Sequence, residues 1–162
     1  MDCAHDMLVR LATISNDNER EESEITVRLA YGPEMELTVD WVKERFGSGW
    51  ASEVSQAFYG HPKRCLVAIK NEKLVGVCAY DASYLGVAGP LGVDELVRGQ
   101  GVGELLIRRT MLEMKRRGYG YAILGWITPK AQPFFERAVG AVVIGESDPK
   151  NEFFQGMLKT TA

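Results

Sequence analysis

A chain of 162 residues, 46% hydrophobic and 25% charged, has enough material to bury a core as one domain without metal or disulfide staples. Its formal charge of −3 argues against a general nucleic-acid binder, which is ordinarily basic. No apolar run approaches the roughly 18 residues of a membrane span, and an amino terminus carrying Asp2 and Asp6, without a basic-then-apolar pattern, shows no signal peptide.

In chain order, "MLVRLATIS" (7–15) and "ITVRLA" (25–30) are rich in β-branched and apolar residues and predict strands, with the charged "NDNEREESE" between them as a loop. "MELTVDWVKERFG" predicts a helix closed by Gly47, and "ASEVSQAFYG" a shorter one closed by Gly60. "RCLVAIK" and "KLVGVCAY" are near-continuous apolar runs around a turn, the pattern of central strands buried on both faces. A two-residue turn in "KNEK" sets Lys70 opposite Lys73, and the same register sets Cys65 opposite Cys78. Those thiols are either small buried apolar groups or a redox-sensitive pair. With Cys3 they are too few and scattered for a disulfide framework, and His5 and His61 form no ligand cluster with them, so a cytoplasmic protein without a metal is expected.

"YLGVAGPLGV" (84–93) is strand-like but holds three glycines and Pro90. Proline cannot donate to a ladder, so this strand is expected to bulge or splay near residues 88–91. A helix follows from Val102 to Arg117, ended by Gly118, then a strand in "YAILGWIT", a short helix in "KAQPFFERAVG", a strand in "AVVIG" and a last strand in "FFQGMLK". Hairpins mixed with crossovers make an α+β layer around one sheet.

The densest feature is "VRGQGVGELLIRR" (97–109), with three glycines in five positions before a helix. Glycine costs about 1 kcal/mol more than alanine inside a helix, so the cluster needs a reason. Leu106, Ile107, Thr110, Met111 and Met114 share one helix face, and Gly103 lies on it at the first turn, where a missing side chain lets the helix approach the sheet. Gly99 and Gly101 leave backbone N–H groups bare at the positive end of the helix dipole, an anion site suited to phosphate. Gly103-Glu104-Leu105 is not the Gly-Lys-Ser/Thr of a nucleotide-binding P-loop, and Glu104 stands where a dinucleotide fingerprint needs a small residue.

Arg98-x-x-Gly101-x-Gly103, preceded by "PLGVDE" and followed later by "FFERAVGA", resembles the GNAT superfamily of acyl-CoA-dependent N-acetyltransferases, whose motif is Arg/Gln-x-x-Gly-x-Gly/Ala. The likeness covers most of the chain, residues 25–158, leaving 1–24 as an extension with an additional strand on a single domain of residues 1–162. It implies a mixed, mostly antiparallel sheet splayed at its middle, with helices on both faces. It further implies that acetyl-CoA is the co-substrate, that no metal takes part, and that the partner is a small-molecule or peptide amine. Nucleic acid and membrane are not partners on this reading. Backbone from Gly99 to Glu104, that is Gly99, Gln100, Gly101, Val102, Gly103 and Glu104, would hold the pyrophosphate, with Arg98, Arg108 and Arg109 adding charge. Leu91, Gly92 and Val93 would pair with the pantetheine arm like a missing strand, an amide near Val93 polarising the thioester.

In this family the acceptor amine attacks the thioester directly, and a carboxylate or water takes its proton. Glu53, His61, Asp81, Asp94 and Glu95 are the candidates, with Glu53 preferred because the first two helices, bearing Trp41 and Trp50, line the acceptor side in related enzymes. Cys78 has no base beside it in the sequence to make it a nucleophile. Phe135 stands in "FFER" where relatives often carry a tyrosine acid, so solvent or another side chain is expected to protonate the leaving thiolate. The alternative is a module that binds or senses acyl-CoA without turnover. Homodimerisation is open, and Leu105 and Leu112, off the main helix stripe, are available to meet either a partner or another helix.

Overall fold

The computed structural model describes residues 4–15, 24–146 and 153–159. Its elements are β1 (His5–Arg10), β2 (Ile25–Leu29), α1 (Met35–Phe46), α2 (Ser48–Phe58), β3 (Cys65–Lys70), β4 (Lys73–Tyr80), β5 (Val87–Val93), α3 (Val102–Arg116), β6 (Tyr121–Ile127), α4 (Gln132–Val139) and β7 (Val142–Val143). Among the described residues the strands form one sheet in the order β2-β3-β4-β5-β6-β1-β7, antiparallel except where β5 meets β6. The helices cover both faces. Leu106, Ile107, Met111 and Met114 of α3, with Phe135, Ala138 and Val139 of α4, pack on Met7, Val9, Leu66, Cys78 and Leu124. On the opposite face Trp41, Val42, Val54 and Phe58 of α1 and α2 pack on Cys65, Val67, Val77 and Ala79. Adjacent residues of β3 and β4 alternate between these cores, as strands buried on both sides must.

Most predicted elements stand, and four differences have local causes. The first strand stops at Arg10, after which Leu11–Thr13 turn as a 3-10 helix closed by the Thr13 hydroxyl donating to the Arg10 carbonyl (2.8 Å). The hairpin does set Lys70 opposite Lys73, but a bulge at Val75 shifts the register so that Cys65 faces Ala79 and Cys78 faces Leu66. One inserted residue reverses the side-chain alternation. The two thiols therefore lie in opposite cores and form no redox pair. Residues 153–159 contain no strand: the chain turns at Gly156 (φ +71°), and Phe153 and Phe154 are held by ring contacts instead of a ladder. Leu112 is 7% exposed and belongs to the α3 core, so it offers nothing to a partner. The expected loop at 16–24 lies, apart from its last residue, outside the described residues.

β5 carries the consequence for function. It pairs with β4 from Val93 back to Ala88, with a bulge that sets Gly89 and Pro90 opposite Ala79, the irregularity expected from Pro90. On its other side it pairs with β6 only at Val87↔Ile123 and Ala88↔Leu124, and beyond that point the two parallel strands have no paired residues.

The tightest approach of α3 to the sheet is at Gly76, not at Gly103. A Cβ on Gly76 would lie 2.7 Å from Leu106 Cδ1 and 3.2 Å from the Gly92 carbonyl, whereas one on Gly103 would meet Phe134 at 3.4 Å and Val93 at 3.5 Å. Gly76→Ala is expected to destabilise the protein by about 1–3 kcal/mol through overpacking. Gly49→Ala, in α2 with nothing within 4 Å, should leave stability unchanged or raise it. Urea unfolding midpoints check both, and equal midpoints for the two variants would contradict the packing account.

Candidate active site

Three elements lie along β5: its own free edge, the glycine loop that follows it, and the rim that α2 makes with the connection preceding it. The first is the free edge of β5. The Asp94 amide donates to the Val75 carbonyl (2.9 Å). Backbone groups of an antiparallel strand alternate in direction, so Gly92 also faces β4 while Leu91 and Val93 turn their N–H and C=O groups away from it, toward the side that β6 has left. Such groups are costly to leave without a partner. Gly92 is buried beneath Phe46, whose ring stacks on Trp50 with centroids 4.9 Å apart. A side chain at 92 would overlap that ring, since its Cβ would come within 2.5 Å of Phe46 Cε2.

The second element is the glycine loop. Gly99 (φ +81°) and Gly101 (φ +83°) adopt left-handed conformations that only glycine takes without penalty, and both face open space. Gly101 is the N-cap of α3 and has no side chain to close it. The first intrahelical bond is Leu105 N to the Gly101 carbonyl (3.0 Å), so the amides of Val102, Gly103 and Glu104 have no acceptor within the helix. They present partial positive charge to the space beside Val93 and Phe134. Lys70, at the base of the β3–β4 turn, donates from Nζ to Gln100 Oε1 (2.9 Å), placing an ammonium on the loop. The sequence reading missed this residue; a cation flanking a hairpin tip was the available signal. Arg98 is exposed, 3.8 Å from the Glu95 carboxylate. Arg108 donates to the Ala138 carbonyl (3.0 Å) and so ties α3 to the end of α4 instead of facing the loop.

The third element is the rim formed by α2 and the β4–β5 connection. Glu53 Oε1 accepts the Ser83 hydroxyl (2.7 Å), one helical turn from Trp50 on the same face of α2. Trp50 is half-exposed, while Trp41 is buried in the core. The other carboxylates have structural work. Asp81 is buried, accepting the Gly86 amide (2.7 Å) and the Tyr119 hydroxyl, and pins the β4–β5 loop. Asp94 caps the turn at Leu96 (2.9 Å) and pairs with Arg45 (3.0 Å); the Leu96 amide, then Arg45, hold its carboxyl below the usual range, which makes it a poor base. Glu95 and His61 are exposed, His61 in the turn between α2 and β3.

Two positions bear on the chemistry of transfer. Phe135 is buried in the α3–α4 core, and its neighbour Phe134 is the ring that reaches Gly103 at the loop. Cys78 is fully buried and its thiol is pushed up to about 12 by burial; Cys65 is raised likewise. Neither can supply a thiolate nucleophile near neutral pH.

The open edge of β5 thus leads through the glycine loop to a helix N-terminus that no side chain caps. The chain belongs to the acetyltransferase (GNAT) family, whose profile matches residues 35–141. No curated protein matches it in sequence. Among solved structures it is similar to a GCN5-related N-acetyltransferase from Sphaerobacter thermophilus (23% identity, TM-score 0.67), covering 89% of this chain and 50% of that one. It is also similar to the GCN5-related glucosamine N-acetyltransferase region of a fungal multi-domain GH3 β-N-acetylglucosaminidase (15% identity, TM-score 0.70), covering 87% of this chain and 20% of that one. The chain thus spans half or less of these solved chains, and identities this low speak to the fold alone. Among the described residues, no helix is long and apolar enough to cross a membrane.

Because both described thiols are buried with raised pKa values, they stay protonated at pH 8 and are shielded from reagent. In a Cys3→Ser protein, a thiol-specific disulfide reagent at pH 8 should label neither Cys65 nor Cys78 in the native state and both in urea. Rapid native labelling of either would contradict the burial.

Proposed function

We propose that the protein transfers the acetyl group of acetyl-CoA to the amine of an acceptor by direct attack, both substrates being bound together on a single acetyltransferase domain. The observation that carries this reading is the unpaired edge at Leu91 and Val93, which leads to the uncapped amides of Val102, Gly103 and Glu104. Leu91, Gly92 and Val93 take the pantetheine arm as an added strand. Gly99, Gln100 and Gly101 with the helix amides hold the pyrophosphate, and Arg98 and Lys70 add positive charge beside it. A reducing cytoplasm suits the two buried thiols.

The chain's contribution to the reaction is alignment and polarisation. An amide of the β5 edge donates to the thioester carbonyl as charge develops on its oxygen. Glu53 accepts a proton from the incoming amine. A C–N bond forms, the C–S bond breaks, and the coenzyme departs as a thiolate. A thiol pKa near ~8.5 makes that leaving group tolerable at neutral pH, so water supplies its proton and the absence of a hydroxyl at Phe135 is not disabling.

Calorimetry tests the loop assignment. Wild type should bind acetyl-CoA with a Kd in the micromolar range. Gly101→Val, which forces a β-branched residue into a left-handed conformation and fills open space, should weaken binding at least about tenfold, and Lys70→Ala by a few-fold. Equal affinities for wild type and Gly101→Val would remove the loop from the site. Absence of binding to wild type would overturn the transfer reading, and binding without coenzyme release on any amine would favour a sensing module.

A further inference from the structure

Four aromatic rings gather where β5 and β6 part, and the coenzyme site uses none of them. Tyr84, in the connection into β5, packs against Phe153 (centroids 4.9 Å apart) and Phe154 (6.3 Å), and its hydroxyl donates to the Phe153 carbonyl. Phe154 in turn packs against Trp126 of β6 (5.7 Å). The cluster is not a closed core, because Tyr84 is 42% and Trp126 45% exposed. A wall therefore runs from Glu53 through its Ser83 hydrogen bond to Tyr84, across Phe154, to Trp126 on the half of β6 that β5 does not pair.

Trp126 is placed there deliberately. Gly125 and Trp126 both stand opposite Asp6 of β1, a bulge between the pairs His5↔Ile127 and Met7↔Leu124. Trp126 has φ +59°, a left-handed conformation rarely adopted by a bulky residue. Asp6, only 1% exposed, holds it: its Oδ1 accepts the Trp126 amide (3.2 Å) and its carbonyl accepts the Ile144 amide (2.9 Å). A buried carboxylate beside the apolar run Met7–Val9 is a costly way to build a bulge unless the side chain it redirects has a use.

We propose, resting on the acetyl-transfer reading, that the acceptor is a primary amine carried on an aromatic body. Its ring lies against Trp126, Phe154 and Tyr84, and its ammonium group points to Glu53 before deprotonation. Asp6 is a positioning residue that aims Trp126. Aromatic faces suit both a flat apolar body and the cation attached to it. A polyamine would call for several carboxylates along its length, and an aminosugar for a row of polar partners. Among the described residues the wall offers one carboxylate, Glu53, which accepts the Ser83 hydroxyl, and rings.

The test measures coenzyme thiol release with 2-phenylethylamine, spermidine, glucosamine and a peptide bearing a free amino terminus. The aromatic amine should show a kcat/KM at least about tenfold above the others. Trp126→Ala should raise its KM about tenfold or more while kcat moves less and the Kd for acetyl-CoA stays unchanged. Asp6→Ala should mimic Trp126→Ala, and Asp6→Asn, which keeps an oxygen for the Trp126 amide, should restore the KM. Similar kcat/KM values across the panel, a better non-aromatic acceptor, or no turnover of the aromatic amine by a protein that acetylates another amine of the panel would overturn the inference alone. Failure to bind acetyl-CoA would overturn the transfer reading and this inference with it. An unchanged KM in Trp126→Ala would remove the aromatic wall from the acceptor site.

Discussion

The parting of β5 from β6 after two residue pairs is the constraint on which the rest of the structure depends. A strand in the middle of a sheet normally satisfies its backbone on both sides; here Leu91 and Val93 do so on neither the β4 side nor the β6 side. The bulge at Gly89 and Pro90 creates the divergence, and Gly92 lets Phe46 seal the α1 face of the strand while its free edge stays open. The same chain then passes through the glycine loop to α3, so the exposed edge and the uncapped helix amides are neighbours by connectivity and not by coincidence of packing.

Around that opening the molecule divides its labour between two faces. The α3–α4 face brings amides, Val93 and Phe134 to one side, with Lys70 reaching in from the β3–β4 turn. The α1–α2 face brings Trp50 and Glu53, joined to the β4–β5 loop through Ser83. β1 lies outside the family-matched region yet sits between β6 and β7 in the sheet, where Asp6 fastens both neighbours.

Much of this was legible from residue pattern. The α3 stripe of Leu106, Ile107, Thr110, Met111 and Met114 is buried or nearly so because a 3.6-residue period leaves no other face to pack, and Pro90 marked the irregular strand because it lacks an amide. The cysteine register was not legible, since Val75 looks like any other strand residue and a bulge adds one position without changing composition. Nor was the role of Gly76: strand glycines look alike until the helix that crosses them is placed. The "FFQGMLK" segment reads as a strand by apolar content, yet its phenylalanines find rings to pack on rather than a ladder. Arg108 lost its proposed role to a contact with the end of α4, and Leu112 joins the core that α3 and α4 share rather than facing a partner; both depend on where α4 docks. Asp6 and Trp126 become informative only together, because their hydrogen bond joins residues 120 positions apart.

Amide hydrogen exchange at single-residue resolution measures the open edge directly. In the free protein the Leu91 and Val93 amides should exchange quickly while the Gly92 amide, facing β4, is protected; saturating acetyl-CoA should slow Leu91 and Val93 by about tenfold or more and leave Gly92 little changed. Leu91 and Val93 amides already as protected as Gly92 in the free protein, and unaltered by acetyl-CoA, would contradict the account.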